Sequence, residues 1–149
     1  MRAVAQRVSQ ARVRVAGEVV GEMAAGLLAF VGVAAVDGDD DARTLAEKLV
    51  HLRVFTDADG KMNRSLIDTA GTLCIVSQFT LLGDCRKGRR PSWDGAAEPA
   101  HAERLIDLAV AHARSLGVTV VTGKFRAEME VALVNEGPVT LLLDTAKVF

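Results

Sequence analysis

The sequence predicts a mixed α/β fold in which curved, barrel-like, mostly antiparallel β-sheets carry two long helices on one side. Three observations lead there: apolar residues recur at every second position in several short segments, two longer segments carry apolar stripes at helical spacing, and no linker, repeat or low-complexity stretch divides the chain. One domain spanning residues 1–149 is the expectation for this length.

The elements follow in order. Val4, Val8, Ala11, Val13 and Val15 alternate with polar residues, but their parity switches near Ser9-Gln10, so two strand halves joined by a bulge are expected. Arg7, Arg12 and Arg14 then project on defined faces. Ala16-Gly17-Glu18 is a turn signal, Val19 to Glu22 returns antiparallel, and the apolar run Leu27 to Val33 has the length of a buried strand. Asp37-Gly38-Asp39-Asp40-Asp41 reads as a loop whose acidic end caps a helix, and Leu45, Leu49 and Leu52, with Ala46 and Val50, form that helix's apolar stripe.

Asp57 to Asn63 is dense in turn formers, and Thr72 to Leu81 reads as one long central strand with a polar end. Gly83 to Pro99 holds Gly83, Gly88, Gly95, Pro91, several charges and the only Trp, so it is expected to be a long irregular loop. Leu105, Ile106, Ala109, Val110 and Ala113 give Glu98 to Leu116 helical periodicity, which Gly117 stops. Val118 to Thr122, Met129 to Val134 and Val139 to Leu143 read as three further strands.

Composition narrows the function classes. Lys and Arg total 18 against 19 Asp and Glu, a formal net charge of −1 with pI near 6.3, so any nucleic-acid or lipid partner must be held by a local patch. Cys74 and Cys85 are too few for a disulfide framework and lack zinc-ligand spacing, which fits a reduced, cytoplasmic setting. No apolar stretch approaches the ~20 residues of a membrane helix, and the N-terminus lacks the pattern of a signal peptide.

His51, His101 and His112 accompany no G-x-S-x-G elbow and no neighbouring Cys, which argues against Ser-His-Asp and Cys-His hydrolases. His101 and His112 read as polar residues on a helix surface. The acidic runs at Asp37 to Asp41 and Asp57 to Asp59 lack the register of a calcium loop, and no metal or cofactor is called for.

Two clusters stand out. In Ser77-Gln78-Phe79-Thr80-Leu81 an apolar strand core gives way to hydroxyl, amide and aromatic groups at the strand's carboxyl end, where loops often assemble ligand sites. Pattern alone divides evenly between such a site and a strand leaving the core. Asn135-Glu136-Gly137-Pro138-Val139-Thr140 lies between two apolar segments, and pattern alone favours an ordinary hairpin turn.

Together these clusters resemble the S-Q-F-T-L and N-x-G-P-V-T signatures of the D-aminoacyl-tRNA deacylase family, the chirality-proofreading enzymes. The likeness extends to Met1 to Val4 with Gln6-Arg7-Val8, to Val54 to Asp57 with Gly60 to Asn63, to Gly88-Arg89-Arg90-Pro91-Ser92-Trp93, where Trp93 stands in place of the usual Phe, and to Gly123-Lys124-Phe125. Six ordered motifs thus cover nearly the whole chain.

The resemblance implies the family's fold and a homodimer that hydrolyses the ester between a D-amino acid and the terminal adenosine of tRNA, with glycine poorly excluded as a substrate. It implies a cis peptide at Gly137-Pro138, supplied to the partner subunit's pocket. There two neighbouring carbonyls would hold the substrate's α-ammonium and leave no room for an L side chain. By the same resemblance Arg7 anchors that segment, Phe79 and Phe125 bound the adenosine pocket with Met129 nearby, and Ser77 and Gln78 line the reaction centre. Amides near Phe79 and Thr80 would polarise the ester carbonyl.

Thr80 is a candidate nucleophile by residue type, whereas the family resemblance implies that the substrate's own 2′-hydroxyl drives hydrolysis while Thr80 positions or donates. Lys87, Arg89 and Arg90 form the local positive patch for the tRNA 3′ end. Two other readings remain open: an editing module similar to the N-terminal domain of archaeal threonyl-tRNA synthetases, and a non-catalytic dimer that binds adenine nucleotides or RNA ends.

Overall fold

The computed structural model describes residues 1–149. In chain order its elements are β1 (Arg2–Val15), β2 (Glu18–Met23), β3 (Gly26–Gly32), α1 (Asp39–His51), the short strands β4 (Phe55–Thr56) and β5 (Met62–Arg64), the single turn α2 (Leu66–Thr69), β6 (Thr72–Ser77), a 3-10 turn (Phe79–Leu82), α3 (Pro99–Ser115), β7 (Thr119–Thr122) and β8 (Glu130–Asp144).

The spine is β1. Ala5 pairs with Ala29 of β3 and with Leu141 of β8, and Arg12 pairs with Glu22 of β2 and with Ala132 of β8. One side of β1 is therefore shared by β3 and β2, while β8 runs antiparallel along the other. Beyond β3 the sheet continues through parallel pairings to β6 and then β7. The result is a nearly closed, curved mixed sheet, antiparallel around β1 and parallel at β3, β6 and β7.

Each face of this sheet buries its own core. Met1, Ala3, Ala5, Leu27, Ala29, Val31, Leu73 and Ile75 meet α1 and α3 through Leu45, Leu49, Leu105 and Ala109. Small residues on β1 let the helices approach, and fully burying each leucine contributes about 1.5–3 kcal/mol. Inside the curl Val8, Ala11, Val13, Met23, Leu28, Cys74 and Val76 form a second core. The two helices are joined by polar contacts as well: His112 Nε2 lies 3.0 Å from Glu47, Arg104 donates to Asp39 at 2.6 Å, and the His101 ring donates to the Asp37 carbonyl at 2.9 Å. Both histidines thus sit at the junction with α1 instead of standing free on the outer surface of α3.

The parity switch near Ser9-Gln10 is a bulge: Val8 pairs with Asn135 and Gln10 with Val134, leaving Ser9 unpaired. The Asp57 to Asn63 turn joins β4 and β5 as expected, with the Asp57 carboxylate accepting from the amides of Asp59 and Lys61 at 2.9 Å each. Three expectations are corrected. The acidic run does not itself cap α1. Gly38 occupies the cap position, and the Asp41 side chain reaches back to accept from its amide at 2.9 Å.

The strand expected over Thr72 to Leu81 stops at Ser77 and turns into the 3-10 turn, and β6 lies between β3 and β7. Gly32 permits this reversal, because a Cβ there would lie 2.9 Å from the Gln78 carbonyl oxygen and 2.5 Å from Leu82 Cδ2. Finally, Met129 to Val134 and Val139 to Leu143 are not two strands joined by a hairpin. They are the two ends of β8, because both halves pair with β1.

Two measurements check this packing. Gly32→Ala is expected to lower stability by about 1–3 kcal/mol by forcing the 3-10 turn off β3, read as a lower midpoint in urea; an unchanged midpoint would contradict the close approach. Cys74 is buried in the inner core, which pushes its thiol up to about 11, while Cys85 is exposed. A disulfide-exchange reagent at neutral pH should therefore titrate one thiol rapidly and the second only on unfolding; two fast thiols would show that the curl is open.

Candidate functional site

The carboxyl ends of β3 and β6 and the start of α3 enclose a cleft of about 540 Å³, lined mostly by apolar side chains. Five of the residues singled out in the sequence meet there: Ser77, Gln78, Phe79, Phe125 and Met129. Val31 and Val76 form its floor, and Ala97, Ala102 and Ile106 bring in α3, a contribution that isolated sequence motifs did not reveal. Small and apolar residues around a few polar groups are the usual lining of a small-molecule pocket.

The rim is built by the 3-10 turn. The Gln78 amide donates to the Val31 carbonyl at 2.7 Å, and the Leu81 amide donates back to Gln78 at 3.2 Å, so the turn is stitched to the end of β3. The first amides of such a turn, those of Phe79 and Thr80, have no partner within it. The Gln78 side-chain amide donates to the Thr80 hydroxyl, holding that side chain at the mouth although Thr80 does not line the cleft. Arg2 secures the far end of the turn. Its guanidinium donates to the Leu81 carbonyl at 3.2 Å and to Asp144 at 3.1 Å and lies over the Phe149 ring. Only its place in the opening motif marked Arg2 in the sequence.

Phe79 is 58% exposed and meets Trp93 edge to face, with ring centroids 5.6 Å apart. Trp93 follows a loop whose neck is closed by Asp84 and Ser92, each amide donating to the other's carbonyl at 2.8 and 3.0 Å. The Arg86 guanidinium pairs with Asp84 and holds its carboxyl well below the usual carboxylate range. Lys87, Arg89 and Arg90 lie on the tip beyond this neck, exposed and outside any ion pair.

Arg7, Gly137 and Pro138 form a separate group. Gln6 pairs with Thr140 and Val8 with Asn135, so four residues of β8, Glu136 to Val139, stand opposite the single residue Arg7. They protrude as a wide bulge containing the cis Gly137-Pro138 peptide. The Arg7 Nε donates to the Glu136 carbonyl at 3.1 Å, while Nη1 donates to the Val54 carbonyl, so one guanidinium braces the bulge against the segment entering β4. Gly137 has φ +123°, and a Cβ on it would lie 3.0 Å from Arg7 Nη2 and 2.9 Å from the Val139 side chain. Gly137 and Pro138 are exposed, and no bulge residue lines the cleft. Arg7 faces Leu27 of β3 whereas Arg2 faces Gly32, so the bulge lies five residues of strand, roughly 17 Å of contour, from the end that carries the 3-10 turn. Within one chain the predicted site residues thus lie in three places: the cleft with its rim, the cationic loop tip and the bulge braced by Arg7.

A family model described as D-Tyr-tRNA(Tyr) deacylase matches residues 4–144. A D-aminoacyl-tRNA deacylase of Desulfotalea psychrophila is 53% identical over 149 residues, covering all of both chains. One of Thermus aquaticus is 55% identical over 147 residues, covering 99% of this chain and 97% of the relative. Among solved structures, one described as c-Myc DNA Unwinding Element Binding Protein superposes with a TM-score of 0.91 at 33% identity, covering 97% of this chain and 99% of the other. A probable eukaryotic D-amino acid tRNA deacylase shares the fold with a TM-score of 0.83 at 19% identity, covering 95% of this chain and 97% of the other. With these matches along its full length, the chain belongs to the D-aminoacyl-tRNA deacylase family and is a hydrolase of that class.

Proposed function

We propose that the chain removes D-amino acids, and glycine more slowly, from the 3′-terminal adenosine of tRNA as a homodimer, with the Glu136 to Val139 bulge of each copy entering the cleft of the other. The observation that carries this reading is the division of the site. The cleft offers a base-sized, mostly apolar pocket and the amides of the 3-10 turn but no carboxylate for an α-ammonium, while the bulge carries backbone carbonyls on a braced protrusion that does not line the cleft. A two-fold dimer joins two such halves at both ends at once.

In this arrangement Phe79, Phe125 and Met129 hold the terminal adenosine and Ser77 and Gln78 line the ester. Carbonyls flanking Gly137 and Pro138 accept from the substrate's ammonium. With the ammonium and the ester carbonyl both fixed, the two remaining substituents on the α-carbon can be placed in only one way. A D side chain points out to solvent, an L side chain is driven into the bulge, and glycine has nothing to reject.

Water adds to the ester carbonyl and gives up a proton to the adenosine 2′-hydroxyl as that hydroxyl passes its own to the 3′-oxygen. The amides of Phe79 and Thr80 donate to the developing oxyanion, and collapse breaks the bond to the 3′-oxygen, releasing the amino acid and the 3′-hydroxyl. Each oxyanion donor of this kind is worth about 2.7–4 kcal/mol in a hydrolase where it has been removed. Thr80 positions the substrate in this scheme and forms no acyl intermediate. Lys87, Arg89 and Arg90 meet the phosphates of the acceptor end, so binding should weaken as salt rises.

Single-turnover deacylation of matched D-, L- and glycyl-tRNA tests the reading. The expected order is D fast, glycine slower, L at the uncatalysed rate; cleavage of the L form would favour an editing module, and no cleavage would favour a binding protein. Thr80→Ala should retain most of the D activity, and a trapped acyl-enzyme would contradict the scheme. Arg7→Ala should reduce D activity by at least tenfold while leaving an intact cleft, because losing a charged donor to the Glu136 carbonyl costs about 1.5–3 kcal/mol of bulge anchoring.

A further inference from the structure

The aromatic surface of the cleft does not end at Phe79. Trp93 continues it outward, and the two rings form an exposed pair, 58% and 38% accessible, in a chain whose other large aromatic surface is sparse. Trp93 is held in place on three sides. Its ring lies edge to face with Phe79, a Cβ on Gly83 would come within 3.2 Å of the indole nitrogen, and its carbonyl accepts from the Ala96 amide at 2.9 Å. Trp93 keeps 38% of its surface open to solvent at the neck of the loop whose tip carries Lys87, Arg89 and Arg90 without acidic partners. From inside to outside the order is pocket, Phe79, Trp93, cations.

The geometry points to Trp93 as a stacking platform for the nucleotide on the 5′ side of the terminal adenosine, with the loop cations meeting the phosphate between the two. Bases stack on an aromatic face whatever their identity, and a fixed ring orders little on binding. The cations favour a polyanion over a second copy of this chain as the occupant of this surface. The inference rests on the reading that the cleft takes the terminal adenosine, and it adds a second nucleotide subsite to it.

Trp93 is the only tryptophan, so its own fluorescence reports on the subsite. Titrating the full-length protein with adenosine, with the ribodinucleotide CpA and with CpCpA should show a Trp93 signal that CpA and CpCpA change at clearly lower concentration than adenosine does. Equal midpoints for adenosine and CpA, or a signal that follows protein concentration alone, would overturn the assignment. Kinetics give an independent arm. Trp93→Ala should raise KM for a D-aminoacyl-CpCpA substrate about tenfold more than for the corresponding D-aminoacyl-adenosine, and Trp93→Phe should restore most of the difference. Equal losses on both substrates would assign Trp93 a role through Phe79 only and end the proposal. If the wild-type chain cleaved neither substrate, the deacylase reading would fail while the fluorescence comparison would still decide the subsite.

Discussion

The pairing of β8 with β1 is the constraint on which the rest depends. Two long strands run side by side with a mismatch at their centre, where Ser9 is extra on one strand and Glu136 to Val139 are extra opposite Arg7 on the other. The Ser9 bulge turns the second half of β1 toward β2 and into the inner core. The larger excess on β8 has no partner to pair with and is extruded. Arg7 converts that excess from loose chain into a fixed projection, since its guanidinium donates both to the bulge and to the Val54 carbonyl.

The cleft is fixed by a different set of forces at the other end of the sheet. Gly32 lets the 3-10 turn fold over β3, Gln78 ties it to Val31, and Arg2 with Asp144 closes it from below. Apolar burial supplies most of the stability, and hydrogen bonds decide where the few polar groups point. Arg2 and Arg7 lie on the same strand, so β1 sets the spacing between turn and bulge. That spacing is the one a second copy would have to match in the proposed dimer.

Much of this was legible in the residues. The parity switch at Ser9-Gln10, the stripes of α1 and α3, the Asp57 to Asn63 turn and the irregular loop after Gly83 all follow from local periodicity and turn chemistry. The pattern failed where pairing across the chain overrides it. Phe79, Thr80 and Leu81 have strand-forming side chains, yet the chain turns there because a glycine on β3 makes room. Asn135 to Thr140 has the composition of a hairpin turn, yet both its flanks pair with β1, a relation between residues more than a hundred positions apart. The cleft residues were found through their motif, while Ala97, Ala102 and Ile106 were not, because helix residues that line a pocket look like helix residues that fill a core.

The most direct measurement is complementation between two inactive variants, one altered in the cleft, Phe79→Glu, and one in the bulge, Gly137→Val. Co-expressed chains that pair at random yield half mixed dimers, each with one cleft and one bulge unaltered. The account predicts about one quarter of wild-type deacylation from the mixture and almost none from either variant alone. A mixture no more active than its parents would show that each chain completes its own site, and would contradict the account.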